Sequence, residues 1–121
     1  APHSREEKMQ EIGKAPSGII GLETALSLGI RELVAKGYLT LPGLIWRMST
    51  APCKLYGLDG GTLSEGGAAD LVLFDPGEQW IVGEFVSKSA NSPFIGEKMP
   101  GVVYATVCGG NIVYQKGGKN E

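Results

Sequence analysis

The sequence predicts an α/β chain, helical in character as far as Gly57 and built of short strands beyond it. Three observations carry this. Apolar residues recur at helix-like spacing on either side of Gly37; the run Ala69 to Asp75 (ADLVLFD) is apolar at successive positions between Gly67 and Pro76; and glycine pairs punctuate the second half.

Each element has its own signal. Ser4 is a good N-cap and Glu7, three residues on, completes a capping box for a short helix through Lys8. Residues 13–18 break the pattern with two glycines and Pro16. From Gly21, the residues Leu22, Ala25, Leu26, Leu33 and Val34 give helical spacing that Gly37 ends. Thr40 caps a second helix, with Pro42 in its first turn where a missing N–H costs nothing, and Leu41, Leu44, Ile45 and Met48 as its apolar face. Pro52 opens another short turn that Gly57 stops. In the second half, ADLVLFD is a buried strand and Gln79 to Val82 a shorter one, while residues 87–101 read as a long surface loop. Val102 to Cys108 and Asn111 to Gln115 flank Gly109-Gly110, a pair suited to a tight hairpin. A strand apolar at successive positions calls for cover on both faces, and a few strands alone cannot supply it.

Composition excludes several classes. The 121 residues carry a net charge of −2, 11 basic against 13 acidic, with no Lys/Arg cluster, so neither nucleic acid nor an anionic membrane is expected as a partner. No apolar run approaches the roughly 20 residues of a membrane span and no signal-peptide pattern opens the chain. Cys53 and Cys108 stand far apart without a C-x-x-C, and are expected to be buried thiols in a cytoplasmic protein. Trp46 and Trp80 are expected to pack, Glu23 to serve as a first-turn acid, and Asp70 to form hydrogen bonds at a strand entry.

Four stretches, APHSREEK, KAPSGIIGLETALSL, GLDGGTLSEGGAADLVLFDP and SKSANSPFIGEKMPGVVYATVCGGNIVYQKG, together span nearly the whole chain. In this order they resemble the carboxyl-terminal part of the bacterial dihydroorotases, which are metal-dependent cyclic amidohydrolases. G-x-L-x-x-G-x-x-A-D-L-V-L is shared with hydantoinases, dihydropyrimidinases and allantoinases; the A-P-H start and S-x-N-S-P-F are more specific. The resemblance implies the end of a (β/α)₈ TIM barrel, with residues 1–57 supplying a substrate loop and the last helices. Residues 58–121 then supply strands of an accessory β-sandwich. A whole barrel needs about 250 residues, more than this chain has.

The implied activity is the reversible interconversion of dihydroorotate and N-carbamoyl-aspartate in pyrimidine biosynthesis. It implies zinc, one ion or two, in the complete enzyme, with none expected on this chain. The metal ligands and the catalytic aspartate are expected upstream of Ala1, so the chain alone is expected to be inactive. Its implied partners are the remainder of the barrel and a second copy in a homodimer. The resemblance carries three substrate contacts onto this sequence: His3 toward the substrate's carboxylate, and the backbone at Ser17 and Gly18 toward the ring's amide edge. On the residues alone, His3 is sooner a histidine in solvent, and 16–18 are equally a turn before a helix. The competing readings are a non-catalytic dihydroorotase-like subunit, a structural β-module, or a sister enzyme acting on hydantoins or allantoin.

Overall fold

A computed structural model describes residues 3–118, the side chain of Arg5 excepted. Ala1 and Pro2 of the A-P-H start, and Lys119 to Glu121 at the other end, lie outside the described residues.

The capping box at the start forms as the sequence requires. The Ser4 hydroxyl accepts from the Glu7 N–H at 3.2 Å, and the Glu7 carboxylate accepts from the Ser4 N–H at 2.7 Å. Helix α1 (Arg5–Lys8) follows. Helix α2 (Ala25–Gly29) is entered by a tight turn at Leu22–Thr24 and extended by a wide one at Ile30–Val34, where the Ala35 N–H reaches the Ile30 carbonyl at 2.8 Å. The Thr40 hydroxyl accepts from Gly43 N–H at 3.2 Å and starts α3 (Leu41–Ile45). A second wide turn, Trp46–Thr50, joins α3 to α4 (Ala51–Tyr56). Pro52 therefore opens no separate helix: the axis runs on through it. Gly57, at φ +63, then closes the helix in the left-handed conformation glycine adopts without strain.

Among the described residues the sheet has three antiparallel strands, β1 (Leu71–Ile81), β2 (Lys98–Cys108) and β3 (Asn111–Gln115), with β2 in the centre. Gly109 and Gly110, both at positive φ, make the β2–β3 hairpin. Two expectations are corrected here. ADLVLFD and the segment from Gln79 are one strand, because the register slips between Asp75 and Gln79 and lodges Pro76 in a bulge, where no ladder N–H is required. The Asp75 carboxylate accepts from Gly77 and Glu78 N–H at 2.7 and 3.2 Å and stabilises that bulge. Likewise residues 87–101 are not one surface loop. β2 begins at Lys98, Met99 is fully buried, and Ser89 and Ser92 are buried within the connection.

The core lies between the helices and β2: Ile30, Leu44, Val82, Met99 and Val102, with Thr24 and Ser27 buried among them. Two packing expectations do not hold. Cys53 is half-buried and Cys108 exposed, both free, because Cys108 ends β2 at the hairpin rather than over the core. Trp46 remains 48% exposed on the wide turn, whereas Trp80 is half-buried against α2. Leu71, Val72 and Leu73 of β1 and Ile112 and Val113 of β3 are exposed, so the described residues leave these apolar side chains uncovered. No helix among the described residues is long and apolar enough to cross a membrane.

Candidate functional site

The connection between β1 and β2 organises the site. It is pinched at its base, where Val82 N–H donates to the Glu97 carbonyl at 2.9 Å and Gly96 N–H to the Val82 carbonyl at 2.7 Å. Arg31 reinforces the pinch through Glu97 at 2.6 Å. From there the segment reaches back to the first residues of the chain. Glu23 receives it: the carboxylate accepts from the N–H groups of Val86 and Ser87, both at 3.1 Å. Glu23 does stand in the first turn ahead of α2, yet its carboxylate is spent on this segment.

The Ser89 hydroxyl donates to the His3 carbonyl at 2.7 Å, and the Asn91 amide donates to the Gly18 carbonyl at 2.9 Å. Lys8 completes the arrangement, its ammonium 2.6 Å from both the Pro16 and Gly18 carbonyls, so that it straddles Ser17. The chain thus brings His3 and the 16–18 stretch to one segment. Gly18 has φ +102 with open space where a Cβ would lie, so its glycine is needed for conformation rather than for room. Ser17 is exposed.

His3 is half-buried, its Nδ1 3.7 Å from a Glu7 carboxylate oxygen. That carboxyl is held below the usual carboxylate range chiefly by the Ser4 N–H, with a smaller contribution from His3. His3, Ser4, Lys8 and Met9 face Ala90, Asn91 and Ile95 around a cavity of about 350 Å³, a volume suited to a small organic molecule. The Asn91 Oδ1 atom is buried and finds no hydrogen-bond partner among the described residues. Leaving such an acceptor unpaired costs about 1–3 kcal/mol. No group of three or more His, Cys, Asp or Glu able to hold a metal ion occurs among the described residues.

Sequence reasoning missed Lys8, Ser89, Asn91 and the second role of Glu23. The available signal was the alternation in Ser89-Ala90-Asn91, since residues two apart in an extended segment face the same way.

The chain belongs to the amidohydrolase family, whose model matches residues 13–113. It is 57% identical over 116 residues to the dihydroorotase of Lactococcus lactis subsp. lactis, a match covering 95% of this chain and 27% of that protein. It is 56% identical over 114 residues to the dihydroorotase of Clostridioides difficile, covering 94% and 27% respectively. Among solved structures it is similar to the L-hydantoinase (dihydropyrimidinase) from Arthrobacter aurescens, with a TM-score of 0.79, 36% identity, and coverage of 89% of this chain and 25% of that one. The chain spans about a quarter of the length of these relatives.

Proposed function

We propose that this chain is the carboxyl-terminal part of a dihydroorotase, a cytoplasmic enzyme that interconverts dihydroorotate and N-carbamoyl-aspartate. The observation that supports this most is the 57% identity to a dihydroorotase along 95% of the chain, against 36% to a hydantoinase. Residues 1–57 complete the barrel end and residues 58–121 contribute strands to the accessory sandwich. The exposed apolar side chains of β1 and β3 meet the remainder of the protein.

In this reading His3 holds the substrate's carboxylate, and the backbone at Ser17 and Gly18 meets the amide edge of its ring. Holding both ends binds the ring in one orientation, in the ground state and the transition state alike, and so lowers KM. Zinc, in the complete enzyme, is held by groups outside this chain, as is the catalytic aspartate. The isolated 121 residues are then inert.

Assay of the full-length protein that carries this sequence tests the reading. Turnover of dihydroorotate should exceed that of hydantoin by about ten-thousandfold in kcat/KM, the discrimination that specific polar contacts supply. Preference for hydantoin would transfer the chain to the hydantoinases. Turnover of neither substrate would favour a non-catalytic subunit.

A further inference from the structure

We infer that Ser89 and Asn91 are positioning residues that hold the His3 and Gly18 stretches in register with each other; the inference rests on the substrate contacts proposed for those two stretches. Neither side chain serves its own loop. Ser89 is buried and its hydroxyl donates outward to the His3 carbonyl at 2.7 Å, while the Asn91 amide donates to the Gly18 carbonyl at 2.9 Å. Both bonds end on main-chain oxygens, so they fix the backbone that carries the imidazole and the backbone at the ring edge, while the imidazole itself stands against Glu7.

The body delivering these donors is itself held from two directions. The paired bonds of Val82 with Glu97 and Gly96 close its base, and the Glu23 carboxylate grips Val86 and Ser87. Lys8 adds a second donor on the Gly18 carbonyl, so losing Asn91 alone loosens that stretch without releasing it. One element thereby sets the distance between the carboxylate contact and the amide-edge contact. Substrate length is measured by the spacing of Ser89 and Asn91, whose S-x-N motif otherwise has no role in the chemistry.

The test uses Ser89→Ala, Asn91→Ala and the double variant in the full-length protein. Because the stretches hold ground state and transition state alike, each single change should raise KM for dihydroorotate about three- to tenfold with kcat nearly unchanged. Ser89→Thr keeps the hydroxyl and should restore KM. Amide hydrogen exchange supplies a readout independent of turnover: Asn91→Ala should accelerate exchange near Gly18, while Ser89→Ala should leave that stretch protected. Unaltered exchange near Gly18, or a fall in kcat with KM unmoved, would overturn the inference. A wild-type protein that ignores dihydroorotate but shows the exchange pattern would refute the assigned activity and leave the clamp standing.

Discussion

The indole N–H of Trp80 donates to the Ser27 hydroxyl at 3.0 Å, joining β1 to α2 across 53 positions of sequence. Ser27 is almost wholly buried and lies beside Gly101, so this bond sits where helix and sheet come closest. Ser27→Ala should cost about 1–3 kcal/mol in denaturant unfolding of the full-length protein, because a half-buried donor loses its partner. Trp80→Phe in the same background should cost less than the two changes summed, since the orphaned donor is then gone.

Gly101 should resist substitution for two separable reasons. Its φ is +91, and a Cβ would lie 2.8 Å from Ile30 Cδ1. Gly101→Ala is expected to destabilise by roughly 1–3 kcal/mol from the backbone alone. Adding Ile30→Val removes the clashing methyl and should recover only the steric share. Gly29→Ala is the contrast: its Cβ would press on the ends of Leu44, which can turn away, at a helical φ of −59. Thermal midpoints should rank Gly29→Ala above Gly101→Ala.

Acid should weaken the sheet through Glu78. Lys116 lies 2.6 Å from Glu78, and the Tyr104 hydroxyl donates to the same carboxylate, so three segments of the sheet meet on one group. Lys116 first, then Tyr104, holds the Glu78 carboxyl below its ordinary value, and Glu78 raises both partners. For a depressed carboxyl the contribution is complete above the unfolded value and disappears as pH falls through the folded one. For the raised phenol and ammonium it is present below their unfolded values and lost as pH climbs through the folded ones. Glu78→Gln should therefore lower the unfolding midpoint at neutral pH and match wild type in strong acid. A constant difference across the acid limb would contradict the assignment.

The uncovered strands predict behaviour of the isolated chain. Leu73 is 66% and Val113 59% exposed, and β3 is an unpaired edge among the described residues. The 121-residue piece should associate with rising concentration in light scattering, and Leu73→Lys with Val113→Lys should shift it toward monomer. If those residues meet the rest of the enzyme, the same pair of changes in the full-length protein should reduce its yield of folded material.

Local chemistry was legible from the residues. The Ser4–Glu7 box, the Thr40 cap, the Gly57 stop and the Gly109-Gly110 hairpin each depend on a few neighbouring side chains, and Asp70 accepts from Gly109 N–H as a strand-entry residue should. What pattern could not convey was set at long range. Pro76 looked like a terminator because its bulge is defined by the partner strand, and Met99 looked like loop because its burial comes from the helices. The contacts of Ser89 and Asn91 lie on carbonyls far away in sequence, and a carbonyl leaves no trace in residue identity. His3 was visible as a candidate, but the groups that steady it were not.

The hydroxyl of Ser89 and the carbonyl it holds are separated by 86 positions of chain. During synthesis on the ribosome, the residues around His3 emerge long before the group that settles them. The bond to the His3 carbonyl therefore waits until the strands are made and docked, which places it late in folding.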